Sequence, residues 1–351
     1  MHVENGVLAI DIGSGTQDIL VWRRGIPMEN CPKMILPSAT TILARKIDQA
    51  TKHGEHLFLS GTVMGGGPSS AAVRRHLKAG FRVTALERPA LTFHDNLDKV
   101  RRMGIEIVEK RPTFTPLTEL TMGDLNLSAI DQALALFGVS LPETMAVAVQ
   151  DHGFSPDESN RVFRFRQWDE LLHAEKGFSD LLYENPPDHL TRMRAICEIA
   201  PGALVMDTGV AAVLGALTDP WISARRDEGV VIVNIGNEHI LVALVQGNKV
   251  WGIYEHHTSL MDPEKLKEHL ARFKNEDLSN QEILDEMGHG CTVLPGASRL
   301  GSFHHLGVTG PNRERFSALN GHMAAPFGDM MLTGCFGLLE AVKKRLTPQN
   351  E

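Results

Sequence analysis

The sequence predicts an α/β fold built from a duplicated unit, and two observations support this prediction. Strand-like apolar runs alternate with helical segments along most of the chain, which is typical of α/β proteins. Residues 7–25 (VLAIDIGSGTQDILVWRRG) and 230–248 (VVIVNIGNEHILVALVQGN) also share one scheme: apolar strand, Asp or Asn, Ile, Gly, polar turn, apolar strand. Asp11 therefore corresponds to Asn234. Two such hairpins, each opening what looks like a lobe, predict a duplicated architecture.

Length and composition restrict the class of protein. The 351 residues are enough for two domains or one two-lobed unit, and 42% hydrophobic with 22% charged residues is ordinary for a globular protein. A net charge of -8 without a basic tract argues against nucleic acid as the main partner. No apolar stretch reaches the roughly 18 residues that span a membrane, and no signal-peptide pattern opens the chain. We therefore expect a cytoplasmic protein without a membrane partner.

Capping residues and glycines predict the remaining elements. In chain order these are a helix at 69–80 capped by Ser69 or Ser70, a helix at 128–138 capped by Ser128, a strand at 145–150, helix and loop at 154–200, a strand and small-residue helix at 202–217, helices starting at Pro263 and after Ser279, and a buried helix at 328–346 capped by Asp329.

Of three kinds of phosphate-binding turn, the turn Gly13–Thr16 fits one. A Walker A loop needs a lysine followed by Ser or Thr at a fixed spacing after its glycines, and no such pair is present. A dinucleotide loop needs GxGxxG opening a helix, but Asp18 replaces the third glycine and a strand follows. A glycine hairpin whose backbone N–H groups approach phosphate oxygens fits the pattern, with an ordinary tight hairpin as the alternative.

The two hairpins resemble the first and second phosphate motifs of the actin, sugar-kinase and Hsp70-like ATPase superfamily. The resemblance implies two duplicated ribonuclease-H-like lobes, residues 1–200 and 201–351, that close on ATP and Mg²⁺ in a cleft. A nucleobase motif is expected at 306–313 (LGVTGPNR). The residues implied to face the nucleotide are Asp11, Gly13, Ser14, Gly15, Thr16, Asn234, Gly236, Gly310 and Asn312. Asp11 is expected to hold magnesium, directly or through water.

The second hairpin departs from the superfamily pattern. Asn234 stands where most members carry aspartate, and His239 stands where a hydroxyl residue is usual. Asparagine can contact the water shell of magnesium, but it adds no charge and cannot act as a base. This departure argues against fast hydrolysis more than against nucleotide binding.

More narrowly, the chain is similar to a branch of this superfamily described as a "putative pyruvate formate-lyase activating enzyme". A radical-generating activase needs three closely spaced cysteines for an iron–sulfur cluster. The cysteines here are far apart, at Cys31, Cys197, Cys291 and Cys335. We therefore expect membership of the family without this chemistry.

Two aspartates are candidates for a catalytic base. Asp207 ends a strand and opens a small-residue helix, which is similar to the sugar-kinase pattern for the base that deprotonates the acceptor; helix capping is the alternative role. Asp151, with His152, ends a first-lobe strand where clefts of the superfamily bind substrate, and a strand-end turn is the alternative. The loop Gly65–Gly66–Gly67 precedes a helix and could bind an acidic acceptor, or could be a plain junction.

The leading functional hypothesis is an ATP- and Mg²⁺-dependent phosphotransferase acting on a small-molecule acceptor. The alternatives are an ATPase that activates a partner enzyme and a nucleotide-binding regulator without turnover. Histidines are frequent in the C-terminal half, but no pair has the HxxxH spacing that places two ligands on one helix face. The sequence therefore leaves open whether a transition metal binds there.

Overall fold

A computed structural model describes residues 6–174, 177–300 and 303–346. The strands, in chain order, are β1 (Val7–Ile12), β2 (Thr16–Trp22), β3 (Lys33–Pro37), β4 (His56–Gly61), β5 (Val83–Ala85), β6 (Ile105–Ile107), β7 (Leu117–Met122), β8 (Thr144–Val149), β9 (Leu204–Met206), β10 (Val230–Ile235), β11 (His239–Gln246), β12 (Lys249–His257), β13 (Gly290–Val293), β14 (His305–Thr309) and β15 (His322–Met323). The α-helices are α1 (Ala39–His53), α2 (Gly67–Lys78), α3 (Glu87–Ala90), α4 (Leu97–Arg102), α5 (Leu127–Ala135), α6 (Asn160–His173), α7 (Thr191–Ile199), α8 (Thr208–Ala216), α9 (Pro220–Ser223), α10 (Pro263–Lys274), α11 (Asn280–Asp285) and α12 (Thr333–Leu346). Across these residues, no helix combines the length and apolarity needed to cross a bilayer.

Two sheets repeat the same strand order. The first sheet runs β3-β2-β1-β8-β9, and the second contains β12-β11-β10-β14-β15 with β13 added beside β12. In both, the central strand is antiparallel to the hairpin partner on one side and parallel to a later strand on the other. This is the ribonuclease-H-like arrangement, present twice. The predicted duplicated α/β fold is confirmed, and Asp11 and Asn234 occupy equivalent positions on β1 and β10.

Helices α8 and α12 pack against each other and join the two lobes. Helix α8 contacts β1 and β8 of the first sheet as well as β10 and β14 of the second. The helices cross at glycines: a Cβ on Gly215 would lie 1.7 Å from the Thr333 oxygen, and one on Gly337 would lie 1.8 Å from the Ala211 oxygen. The small-residue composition of both helices is therefore a requirement of this close crossing.

A third sheet, which the sequence did not predict, is inserted between β3 and β8. Its strand order is β6-β5-β4-β7, and all its pairings are parallel. It has its own core, in which Leu57 and Leu59 of β4 pack with Ile47 of α1 and Val73 of α2. The first sheet also includes β9, beyond residue 200.

Three predicted helix starts were wrong. Helix α2 begins at Gly67 rather than at Ser69 or Ser70, and Pro68 occupies its first turn, where its missing N–H costs nothing. Asn126, not Ser128, caps α5 by accepting the Ala129 N–H. Asp329 accepts the Met331 N–H in a turn, and α12 begins only at Thr333.

Candidate functional site

A cleft of about 370 Å³ lies between the lobes, where the two duplicated hairpins meet. Its walls come from the ends of β1 and β10, from the first turns of α8 and α12, and from the loop before α2. The carboxyl end of β8 and the polar residues that follow it form a further wall. Both copies of the repeat therefore open onto one site.

The first hairpin turn is fixed through its carbonyl groups. The Gly13 N–H donates to the Thr16 oxygen at 2.9 Å, and the Ser14 oxygen accepts the hydroxyls of Ser38 (2.6 Å) and Thr41 (3.0 Å) at the start of α1. Within the described residues, the N–H groups of Ser14 and Gly15 donate to no protein acceptor. The turn therefore contains two donors without protein partners, as an anion site requires; Ser14 lines the cleft, whereas Gly15 lies at the contact with Asn237.

The second hairpin repeats this construction. The Gly236 N–H donates to the His239 oxygen at 2.9 Å, and the Gly236 oxygen accepts the Thr258 hydroxyl at 2.9 Å. The two turns also meet, because a Cβ on Gly15 would lie 2.5 Å from Nδ2 of Asn237. The lobes are thus in contact at the tips of the two hairpins.

Asp11 lies between the first turns of α8 and α12. Its Oδ1 accepts the Thr208 hydroxyl at 2.5 Å, and a Cβ on Gly334 would lie 1.9 Å from Oδ2. Burial raises the pKa of Asp11 to about 7. The Thr208 hydrogen bond opposes this increase, and the charge of Asp207 adds to it. A cation beside this carboxylate would restore its charged form.

Asp18 lies beside Asp11 and was missed as a site residue. The two are directly opposite in the β1–β2 register, so they share a face, and both line the cleft. Asp18 is buried, and its Oδ1 has no hydrogen-bond partner among the described residues. Burial and the charge of Asp11 raise the pKa of Asp18 to about 8. Paired carboxylates that lack a counter-charge fit the oxygen-ligand chemistry of Mg²⁺.

The predicted nucleobase motif, residues 306–313, begins within β14 and continues into the loop after it. Gly310 and Asn234 line the cleft, and Gly310 has a φ of +97°. This close approach needs glycine, because a Cβ would lie 2.7 Å from Oδ1 of Asn234. Asn312 instead donates through Nδ2 to the oxygens of Gly236 (3.0 Å) and Asn237 (3.2 Å), and it supports the second hairpin without lining the cleft.

Both candidate bases already accept hydrogen bonds. Oδ1 of Asp207 accepts the first N–H groups of α8, and Oδ2 forms an ion pair with Arg164 at 3.0 Å. Asp207 is buried and does not itself line the cleft, although Thr208 does. Asp151 lines the cleft, and its carboxylate accepts N–H groups from Gly153 at one oxygen and from the start of α7 at the other.

Two arginines, which sequence reasoning missed, line the same cleft: Arg164 is buried and Arg192 is half-buried. Arg164 of α6 bridges Asp207 and Glu255, with 2.6 Å to the latter. Arg192 forms a bidentate pair with Asp124 and donates to the Gln150 oxygen. Their partners are spread over the whole chain, so no local motif could have revealed them.

The loop Gly65–Gly67 lies on the first-lobe side of the cleft, next to Arg192 and the first hairpin. A Cβ on Gly65 would lie 2.7 Å from the Arg192 guanidinium, and one on Gly67 would lie 3.6 Å from Cβ of Ser14. The Gly65 N–H donates to Asp124. The structure therefore brings the predicted substrate loop to the predicted phosphate turn.

None of the four cysteines lines the cleft, although the Cys335 thiol contacts the backbone oxygen of Asp18. Cys31, Cys291 and Cys335 are buried, Cys197 is half-buried, and each thiol contacts a different backbone carbonyl. Burial raises the pKa of Cys291 to about 12. No group of metal-binding side chains in the described part of the chain includes a cysteine.

The two ribonuclease-H-like lobes, with paired helices between them and hairpins meeting over a cleft, define a protein of the actin-like ATPase fold. The chain belongs to the family described as "Putative pyruvate format-lyase activating enzyme (DUF1786)", whose model matches residues 64–315. No curated protein matches the chain.

Several solved structures resemble the chain at low identity. One is ethanolamine utilization protein EutJ from Carboxydothermus hydrogenoformans, with 12% identity, a TM-score of 0.32, and coverage of 94% of this chain and 88% of that one. Another is the Lmo2764 protein from Listeria monocytogenes, described as a putative N-acetylmannosamine kinase. It has 9% identity, a TM-score of 0.36, and coverage of 97% of this chain and 99% of that one. A third is the activator of the 2-hydroxyisocaproyl-CoA dehydratase from Clostridium difficile, solved with bound ADPNP. It has 10% identity, a TM-score of 0.33, and coverage of 99% of both chains.

Proposed function

We propose that the chain is a Mg-ATP-dependent phosphotransferase that acts on a small acceptor bound in the interlobe cleft. The observation that carries the proposal is the meeting of two equivalent hairpin turns over one cleft. In the first turn, two amides have no protein acceptor within the described residues. A polyphosphate supplies oxygens for such donors, and phosphoryl transfer depends mainly on positioning and charge neutralisation.

The remaining groups have distinct proposed roles. Asp11 and Asp18 would hold Mg²⁺, whose charge they need, and Gly310 would lie on the nucleobase side of the second lobe. Magnesium, when bound, would neutralise charge on the phosphates. The acceptor would bind near Gly65–Gly67, where the loop at the start of α2 lines the cleft beside the first hairpin.

Asp207 is the proposed base, acting from the start of α8, with Asp151 as the alternative. One observation favours a second function, ATP hydrolysis coupled to a partner enzyme: both carboxylates are already engaged by backbone N–H groups, and Asp207 also by Arg164. In a kinase, one of these carboxylates would have to give up a hydrogen bond so that its oxygen could accept the proton of the acceptor hydroxyl.

Release of ADP, measured with and without a panel of sugars and small hydroxy acids, tests the proposal. A phosphotransferase should release ADP at least tenfold faster with one acceptor. In Asp207→Asn that stimulation should fall by about 10²–10⁴-fold while basal release persists. The variant should still fold, because Asn caps a helix about as well as Asp and Arg164 keeps its pair with Glu255, but its melting temperature should be lower because the buried ion pair with Arg164 is lost. Full stimulation in Asp207→Asn would contradict its role, and release that responds to no acceptor would favour the partner-coupled ATPase.

A further inference from the structure

A group of three histidines and a glutamate lies in the cleft beyond the hairpins, and the proposed function does not use it. Its members are His152 after β8, His239 at the start of β11, Glu255 on β12 and His289 before β13. One ligand atom from each side chain lies within 4.8 Å of every other. The first lobe supplies one of these side chains and the second lobe supplies three.

The nitrogens of this group lack protein partners. His289 is 3% exposed, and neither of its ring nitrogens has a hydrogen-bond partner in the described part of the chain. Nε2 of His152 is also buried without a partner there. Buried polar atoms are normally satisfied, so three orphaned nitrogens at one point need an explanation. A ligand that accepts lone pairs from all of them supplies one.

The histidines of the group are uncharged. Burial lowers the pKa of His239 to about 4, and it lowers the pKa values of His152 and His289 as well, so the rings are neutral at pH 7. Neutral imidazoles are the form that binds metals. Burial alone would raise the pKa of Glu255, but the adjacent Arg164 guanidinium holds it below its usual value, so a carboxylate is present.

We propose that His152, His239, Glu255 and His289 bind one divalent transition metal ion, with Zn²⁺ as the reference metal. Imidazole and carboxylate donors suit Zn²⁺ and similar ions. Metal–nitrogen bonds of about 2.0–2.1 Å place two ligands of one ion at most about 4.2 Å apart, so atoms within 4.8 Å reach a shared ion by small side-chain movements.

Two polar side chains orient the glutamate of the group, as hydrogen-bonding partners do for the ligands of a metal centre. Glu255 is held by Gln150 (2.8 Å) and Arg164 (2.6 Å), which orient its carboxylate. His152 and His239 are half-buried and line the cleft, so the ion would lie at the wall of the cleft. Because both lobes contribute ligands, the ion would also join them.

Metal binding is tested on the untagged full chain, because a histidine tag would itself bind metal. Protein treated with a chelator is titrated with Co²⁺ while the visible d–d absorption is followed, and Zn²⁺ is then added in competition. We expect saturation at one Co²⁺ per chain, displacement by Zn²⁺, and a melting temperature several degrees higher with Zn²⁺. These measurements need neither nucleotide nor activity.

Variants then test the ligand set. His289→Asn should weaken Co²⁺ binding at least tenfold. His269→Asn, which changes a buried histidine bonded to Tyr254 outside the group, should bind as the wild type does. Since loss of His289 could disturb folding, the half-buried His239→Gln is measured beside it, with circular dichroism for all variants. Absence of saturable Co²⁺ binding in the wild type, or unchanged binding in both folded variants, would overturn the proposal.

Discussion

At the residue scale, the paired carboxylates Asp11 and Asp18 are the most distinctive chemical feature of the cleft. They lie opposite each other on β1 and β2, and burial raises the pKa values of both, to about 7 and about 8. In the absence of a counter-charge, the two carboxylates repel each other in a poorly solvated place. A divalent cation relieves this repulsion, so magnesium and these residues should be strongly coupled.

Asp11→Asn should therefore weaken Mg-ATP binding by about tenfold or more, equivalent to at least about 1.4 kcal/mol. Binding of ATP without magnesium should change much less, because the turn amides remain. Isothermal titration calorimetry with and without Mg²⁺ measures both, and Asp131→Asn, an exposed change on α5, is the control. Equal loss with and without magnesium would show that Asp11 acts on the nucleotide directly.

The sequence indicates Asp11 but not its neighbour Asp18, because the pairing of the two depends on where the turn is placed. The repeat indicates Asp11 and Asn234, whereas Asp18 stands where a dinucleotide loop would have glycine and could lie on the outer face of its strand. Once the turn is placed at residues 13–16, antiparallel register pairs Asp11 with Asp18 and gives them one face. Glu255 and His289 had no such signal, because only the tertiary fold brings them to His152.

At the element scale, the crossing of α8 and α12 determines how the lobes are joined. Both helices begin at the cleft, where Thr208 and Gly334 contact Asp11, and they then cross with backbone contact at Gly215 and Gly337. Any side chain at the crossing would separate the helices. The position of the Asp11 carboxylate therefore depends on Gly215 and Gly337, which lie one to two helical turns beyond the residues that contact it.

Gly337→Ala should lower the free energy of unfolding by about 1–3 kcal/mol, because the new methyl group meets the Ala211 oxygen. This cost exceeds the helix propensity gained from alanine, which is at most about 1 kcal/mol. Gly123→Ala is the control, since its Cβ would make only ordinary contacts at 3.7 Å or more and should change stability by less than about 0.5 kcal/mol. Urea unfolding measures both; equal stabilities would contradict the close crossing.

Element types were predictable where local signals were strong, and element starts were less so. The hairpins, the strand before Asp151 and the capping box of Ser279 with Glu282 all follow local chemistry. The start of α12 did not, because Asp329 has the residue type of a cap but is used in a preceding turn. The inserted sheet was missed in part because two of its four strands, β5 and β6, have three residues each, too short for a periodic signal.

At the scale of the whole molecule, duplication is the organising feature. The repeat predicted two lobes, and the structure adds that their hairpins meet tip to tip at Gly15 and Asn237. The proposed nucleotide and metal sites both take groups from the two lobes. Ligands bound there would hold the lobes together, so occupancy of the cleft and the relative position of the lobes should be coupled.

The central claim is that both hairpins bind the phosphates of one nucleotide. A crystal structure of the chain with Mg²⁺ and the non-hydrolysable analogue ADPNP tests this most directly. We predict one nucleotide per chain, with phosphate oxygens within hydrogen-bond distance of the Ser14 and Gly15 amides and of the 236–238 turn, and with Mg²⁺ beside Asp11. A nucleotide bound outside the cleft, phosphates that contact only one hairpin, or crystals that take up no ADPNP at millimolar concentration would contradict the account.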